Sequence, residues 1–412
     1  MKKIISVSYY ADFSRYFRAL HGNFHNPNIE WINICLYHSA YVFDLLHNVK
    51  TIFLPSEIRK RKFKNLKSKF DIGSINYTYL KNSDTKINDI ALLYSNYFEY
   101  FLKIEKPDLI ILSGDERLPI KILRHVAFNL GIKVLYFEQG PFGTTILDKD
   151  GVNANCSFRR NCNQELQSEK KLFLLENKKE KWQGYKKYRL LDIIYQLLFP
   201  NTYPELIKYK LSIPKNKKNS PIINKITTGT YTKKYILLIL QVPEDVNMVC
   251  HSPYFSNHTE IIKKIHTSIP SQYKLVVREH PLYKGKYESS LYDYINSNKI
   301  SLDCNGNLVN LIKNSILVIV NNSTVGLEAM LHKKSVLILG NSYYDNENYI
   351  YKYHGEKLRE KILEAINKPI DINEVDMRLN YLFNHHFLSG HFRDKDLSSI
   401  PEHVRKINEF IL

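Results

Sequence analysis

No stretch of the 412 residues approaches the roughly 20 consecutive apolar residues of a membrane-spanning helix. Cysteine is sparse and odd in number, at Cys35, Cys156, Cys162, Cys250 and Cys304. No Cys-x-x-Cys occurs, and no Cys/His group has zinc-ligand spacing. A disulfide framework and a zinc module are therefore not expected, and reduced thiols in a cytoplasmic protein are. Internal repeats and extended low-complexity segments are missing, and no RNA- or DNA-binding motif is legible, so nucleic acid is not an expected partner. The start, Met1-Lys2-Lys3 before Ile4 and Ile5, looks like a signal peptide. Its apolar run is too short, and Asp12 and Arg15 follow quickly, so a first core strand is expected.

Apolar residues make up 44% of the chain, enough for full cores, and the length suits two domains. The net charge is +18 and is unevenly spread. Residues 159–234 hold 18 Lys/Arg against 6 Asp/Glu, an excess that suits a polyanion, an anionic membrane surface or a solvated basic face.

The N-terminal part alternates strand and helix signals. Ile4–Ser8 and Asp108–Ser113 are apolar runs, Pro119–Leu130 has helical spacing ending at Gly131, and Lys133–Glu138 is a further strand. Strand, helix, strand in this order is a βαβ unit. A Lys-rich, proline-broken segment follows. Within it Tyr188–Phe199 is amphipathic, suited either to a bilayer interface or to docking on a core. A second α/β run starts at Tyr235, with strands at Ile236–Gln241, Lys274–Glu279, Ile316–Asn321 and Ser335–Gly340, and helices at His258–Ile269, Leu308–Lys313 and Thr324–His332. The expected architecture is α/β of GT-B type, two Rossmann-like domains facing a cleft. Residues 1–158 form an acceptor domain, 159–234 a basic linker or insertion, 235–370 a nucleotide-sugar domain and 371–412 C-terminal helices.

Polar loops follow the predicted strands, where sites in parallel sheets lie. Gln241-Val-Pro-Glu-Asp245 carries a carboxylate fit to act as nucleophile or base at an anomeric carbon, or as a helix cap. Arg278-Glu279-His280-Pro281 puts an imidazole at a strand rim, to bind a phosphate, protonate a leaving group or make structural bonds; Arg278 suits a carboxylate or phosphate. Asn321-Asn322-Ser323-Thr324-Val325-Gly326-Leu327-Glu328 is a strand-to-helix turn suited to an anion or to plain N-capping. In the N-terminal half, Glu138-Gln139-Gly140, Asp115 and Asn153 stand in loops that would contact acceptor or sugar, or merely turn the chain.

These segments, in this order, resemble the capsular polysaccharide KpsS/LipB family. Leu240-Gln241-Val242-Pro243-Glu244-Asp245, Val277-Arg278-Glu279-His280-Pro281, Val320-Asn321-Asn322-Ser323-Thr324-Val325-Gly326, Phe137-Glu138-Gln139-Gly140 and Leu339-Gly340-Asn341-Ser342-Tyr343-Tyr344-Asp345 carry the likeness, over about residues 108–350. The resemblance implies a retaining β-Kdo transferase on the cytoplasmic side of the inner membrane. It would move 3-deoxy-D-manno-oct-2-ulosonic acid (Kdo) from CMP-Kdo to a phosphatidylglycerol-type lipid terminus, beside other capsule assembly proteins. It also implies that Asp245 is the catalytic carboxylate and that His280 and Ser323/Thr324 bind the CMP phosphate. Gln241, Arg278, Pro281, Asn322 and Glu328 complete the implied donor site. No metal or cofactor is expected: CMP leaves as a monophosphate ester, and no Asp-x-Asp pair is expected at the end of a strand. Two alternatives share these motifs. One is another CMP-sugar transferase, sialyltransferase-like or a later Kdo-adding enzyme. The other is a non-catalytic polysaccharide- or lipid-binding export component.

Overall fold

The computed structural model describes residues 2–24, 28–60, 85–159, 179–198, 234–243, 245–368 and 370–411. Most of the basic segment, 160–178 and 199–233, and Glu244 of the Gln241–Asp245 loop lie outside the described residues.

The chain divides into two units, one of residues 1–152, 173–212 and 383–412, the other of 153–172 and 213–382. In the first, the expected opening strand is β1 (Lys2–Ser8), followed by β2 (Ile29–Cys35), β3 (Thr51–Phe53), β4 (Leu109–Ser113), β5 (Lys133–Gln139) and β6 (Thr145–Asp148). Their order across the sheet is β3-β2-β1-β4-β5-β6, parallel except for β6, which folds back on β5. All five residues of β4 are buried, as a strand covered on both faces requires.

The second unit holds β7 (Tyr235–Ile239), β8 (Lys274–Arg278), β9 (Ser301–Asp303), β10 (Leu317–Val320), β11 (Ser335–Ile338) and β12 (Tyr351–Lys352). The order β12-β11-β10-β7-β8-β9 is parallel throughout. Both sheets thus repeat the doubly wound Rossmann order, in which the first strand lies between the second and the fourth. Tyr-Ile-Leu-Leu-Ile of β7 is wholly buried at the centre, and each such aliphatic side chain contributes about 1.5–3 kcal/mol by leaving water. The crossover helix His258–Ser268 starts where the Asn257 side chain accepts the Glu260 N–H at 2.9 Å, while the Glu260 carboxylate accepts the Ser256 N–H, also at 2.9 Å.

Two helices lie where linear segmentation does not put them. The terminal helix Ile400–Ile411 buries Ile400, Val404, Ile407 and Ile411 against Ile4, Tyr16, Phe17 and Leu109 of the first unit. His403 on the same face fixes it further: its Nδ1 accepts the Tyr16 hydroxyl and its Nε2–H donates to Ser389 O, both at 2.8 Å. The amphipathic segment forms the helix Tyr185–Leu198, docked on the helix His38–Leu46. Fully buried Asp192 accepts the Ser39 N–H at 2.8 Å, and His38 stacks on Tyr195 with ring centroids 3.5 Å apart. Of the two roles open to this segment, docking describes its inner face.

Candidate functional site

In the second unit β8 and β9 run to one side of β7, and β10 to β12 to the other. The strand order therefore reverses between β7 and β10, and the crevice beyond their carboxyl ends is where ligands bind in such sheets. Val320, Ile239 and Arg278 are paired residues on adjacent strands. Two residues beyond each stand Asn322, Gln241 and His280. Three of the sequence-predicted positions therefore form one row across the centre of the sheet.

Gln241 is buried, and neither polar atom of its side chain has a hydrogen-bond partner among the described residues. Asn322 is held by its amide N–H groups, which donate to Asn247 O at 2.8 Å and His251 O at 3.0 Å, while its buried Oδ1 has no partner among the described residues. An unpaired buried polar atom costs about 1–3 kcal/mol, and here such atoms stand on neighbouring strands beside the reversal point. Close packing makes this loop cluster specific. A Cβ on Gly340 would come within 2.6 Å of His251 O, the same carbonyl that binds Asn322 and the Asn341 N–H.

His280 is half-buried, and its Nδ1 accepts the Leu282 N–H at 3.3 Å. That bond leaves the proton of the neutral ring on Nε2. Burial holds the imidazole below its ordinary pKa, partly opposed by the nearby negative charge of Asp245. Asp245 is exposed at the start of the short helix Val246–Cys250 and makes no side-chain capping bond. Pro281 opens the single turn Pro281–Tyr283 directly after the imidazole.

The other predicted donor residues stand around this row or in the scaffold beside it. The buried Arg278 guanidinium pairs with buried Asp303. Ser323 Oγ accepts the Val325 N–H at 3.3 Å, and the Ser323 carbonyl accepts the Tyr344 hydroxyl. Thr324 is exposed at the start of the helix Val325–Leu331, and Glu328 is half-buried in its first turn.

Sequence reasoning missed the residues that set this row. The Tyr287 hydroxyl donates to Gln241 O at 3.2 Å and accepts the His280 N–H at 3.1 Å. The Gln241 N–H donates to Nε2 of buried His258 at 3.3 Å, and burial pushes that imidazole down to about 4. Glu279, almost fully buried, accepts Tyr292 OH at 2.5 Å, Cys304 Sγ–H at 2.8 Å and Gly285 N–H at 3.1 Å. Burial and this carboxylate push the Cys304 thiol up to about 12. Asp345 of the last motif takes a two-pronged bond from Arg159, both at 2.9 Å, and a 2.5 Å bond from Lys352. Burial raises its carboxyl, but Arg159 and Lys352 outweigh that and hold it below the usual range. No local spacing marks these partners, because tertiary folding alone assembles them.

In the first unit, Asp115 is buried and its Oδ2 accepts the Val152 N–H at 3.0 Å, so it anchors a loop. Glu138 is half-buried and accepts the Gln139 N–H at 2.8 Å; Gln139 is exposed. Gly140 N–H closes the following loop on Thr144 O at 2.9 Å. Asn153 belongs to the second unit, in the left-handed region at φ 51°. Against expectation, an Asp-x-Asp pair does stand at a strand end: Asp148 closes β6 and Asp150 follows, with Asp148 Oδ1 accepting the Asp150 and Gly151 N–H groups at 2.8 and 3.2 Å as a turn former. Among the described residues no group of three or more His, Cys, Asp or Glu side chains is assembled to hold a metal ion.

Residues 108–392 match the family described as "Capsule polysaccharide biosynthesis protein". Protein FixF of Sinorhizobium fredii is 26% identical over 187 residues, which are 44% of this chain and 45% of that one. The capsule polysaccharide modification protein LipB of Neisseria meningitidis serogroup B is 23% identical over 63% of this chain and 69% of its own. Among solved structures, the β-Kdo 2,7 transferase of Thermosulfurimonas dismutans KpsC aligns with a TM-score of 0.44 and 14% identity, over 91% of this chain and 89% of that one.

Proposed function

The chain belongs to the family of capsule polysaccharide biosynthesis proteins, and from that premise we propose that it is a retaining glycosyltransferase that moves Kdo from CMP-Kdo to a phosphatidylglycerol-type lipid terminus. The observation that carries this reading is the row Asn322, Gln241, His280 at the strand-order reversal, with unpaired buried amide atoms on two of its members and Asp245 beside the third.

The roles follow from local chemistry. The Nε2–H of neutral His280 donates to the CMP phosphate, and the side-chain amide of Gln241 and Oδ1 of Asn322 take the polar edges of the nucleotide or sugar. The Asp245 carboxylate attacks the anomeric carbon from the face opposite CMP, and the bond to the phosphate oxygen breaks with its electron pair going to CMP. The acceptor oxygen then attacks the same carbon from the vacated face, releasing Asp245 and passing its proton to solvent. Two inversions give net retention. A departing phosphate ester needs charge stabilisation rather than a proton, and in this reading the His280 Nε2–H supplies it without a metal or cofactor.

The enzyme would work at the cytoplasmic face of the inner membrane, with other capsule assembly proteins as neighbours. No helix among the described residues is long and apolar enough to cross a membrane. The outer face of Tyr185–Leu198 supports surface attachment: Leu190, Ile194, Leu197 and Leu198 are 56, 42, 63 and 65% exposed, and Lys186 and Lys187 precede them.

Incubation of the purified chain with CMP-Kdo and a phosphatidylglycerol analogue, read by mass spectrometry, tests the reading. A product heavier by one Kdo residue is expected. Transfer from CMP-sialic acid alone would reassign the donor, and binding of lipid or polysaccharide with no binding of CMP-sugar would make the protein a non-catalytic component.

A further inference from the structure

Asn322 cannot turn its side-chain amide over. The amide nitrogen donates to Asn247 O at 2.8 Å and to His251 O at 3.0 Å. A flipped amide would set Oδ1 against two carbonyl oxygens and lose both bonds, so the acceptor end is fixed. That Oδ1 is buried, in a residue only 5% exposed, and has no partner among the described residues. A neutral oxygen fixed as an acceptor takes an N–H or an O–H and repels a phosphate or carboxylate oxygen. The turn Asn321–Thr324 suits an anion by its residue types, yet this member of it is set for a hydrogen-bond donor.

Its neighbour across the reversal point is Gln241. The Leu240 N–H bonds to Arg278 O at 2.9 Å and the Gly340 N–H to Asn321 O at 2.8 Å, so the pairing runs on past the strand ends. Asn322, Gln241 and His280 therefore keep strand spacing, about 4.8 Å for each step, which puts Asn322 about 10 Å from His280. The Gln241 backbone is held on both sides, its N–H by His258 Nε2 and its carbonyl by the Tyr287 hydroxyl. Its side-chain amide offers a donor and an acceptor, both buried and neither paired among the described residues. A fixed acceptor and an adaptable amide thus stand side by side, two strands and one strand away from the imidazole. A pyrimidine nucleotide with its phosphate at His280 spans that row and brings the far edge of its base to Asn322. Cytosine carries an amine on that edge, a donor, beside the ring nitrogen N3, an acceptor; uracil has a carbonyl oxygen in place of the amine.

We propose that Asn322 selects cytosine: its Oδ1 accepts the base amine, and the Gln241 amide meets N3 beside it. The inference rests on the CMP-sugar reading above and adds the atom that distinguishes the base. Uracil would set an oxygen against Oδ1, and a base without the amine would leave this buried acceptor unsatisfied. A site built around such a bond rejects the analogue that lacks it far better than an apolar pocket does.

The test is calorimetric titration of the full chain with CMP, UMP, the 4-deamino analogue of CMP and 2′-deoxy-CMP, repeated on Asn322→Ala. Wild type should bind CMP about tenfold or more tighter than UMP and the deamino analogue, with 2′-deoxy-CMP close to CMP. In Asn322→Ala, where water can reach the two freed carbonyls, CMP should lose most and the deamino analogue least, so that the preference for the amine largely disappears. Circular dichroism checks the variant, and Asn322→Ser replaces it if Asn322→Ala does not fold. Equal wild-type affinity for CMP and the deamino analogue, which needs no variant, would overturn the assignment. An amine preference that survives the loss of Asn322 would overturn it too, by giving the amine another partner. A penalty for 2′-deoxy-CMP with none for the deamino analogue would overturn it in favour of a ribose hydroxyl. Amine selection through Asn322 in a protein that transfers no Kdo would keep the base site and reject the transferase reading. Kdo transfer without amine selection would do the reverse.

Discussion

Tyr287 accepts the backbone N–H of His280 at 3.1 Å while donating to the Gln241 carbonyl at 3.2 Å, so one phenol ties together the loops that follow β7 and β8. Replacing Tyr287 with Phe leaves the ring and removes the tie. One backbone N–H and one carbonyl lose their partner, at about 1–3 kcal/mol for a group left unsatisfied. Lower thermal stability is expected together with a several-fold loss of CMP affinity, because His280 is no longer held. Calorimetric melting and CMP titration measure both, and unchanged CMP affinity would show that the tie serves stability alone.

Asp245 is exposed, and the amide of Asn has the same shape, so the fold should tolerate the replacement. Asp245→Asn should abolish transfer while CMP still binds. His280→Ala should instead weaken CMP about ten- to a hundredfold, the loss of a hydrogen bond to a charged group at about 1.5–3 kcal/mol. Near wild-type turnover in Asp245→Asn would remove it from the nucleophile's role.

The exposed face of Tyr185–Leu198 predicts salt-sensitive attachment to anionic vesicles. Each Lys near an anionic surface contributes about 1 kcal/mol, screened over about 8 Å at physiological ionic strength. Co-sedimentation with phosphatidylglycerol vesicles is expected at low salt and should decline as salt rises. Changing Leu190, Ile194 and Leu197 to Ser, or Lys186 and Lys187 to Gln, should reduce it. Equal sedimentation of all these proteins would leave the face without a membrane role.

Burial pushes the His403 imidazole down to about 4, a little offset by its bond to Ser389 O. An unfolded His titrates near 6.5. Between those values the unfolded chain binds the extra proton, so this group's contribution is intact above about 6.5, falls as pH drops toward 4, and is level below. The slope from one such group is at most about 1.4 kcal/mol per pH unit. Urea midpoints of wild type and His403→Gln at pH 7, 6, 5 and 4 should converge as pH falls, because the variant lacks that slope. A constant gap between the two would mean that His403 titrates alike in both states.

The periodic signals in the sequence located the strands to within a few residues. Ile236–Gln241 became Tyr235–Ile239, and Asp108–Ser113 became Leu109–Ser113. Continuous apolar runs specify strands covered on both faces, whatever else the chain does. The loops after them were legible for the same reason: a parallel sheet puts its polar turns at one end.

What the sequence determined by itself was therefore the doubly wound architecture and the positions of Gln241, Asp245, His280 and Asn322 after strands. Only the tertiary structure decided which strands are neighbours, and so that three of those residues stand in one row. It also decided what each polar group does. Arg278 belongs to Asp303, Asp345 to Arg159 and Lys352, and Asp115 to the Val152 N–H. Tyr10, Tyr37 and Arg117 became the starts of three helices at one sheet end. Local spacing records the face on which a side chain lies, whereas partnership across as many as 186 residues depends on how the chain folds back on itself, which no local pattern encodes.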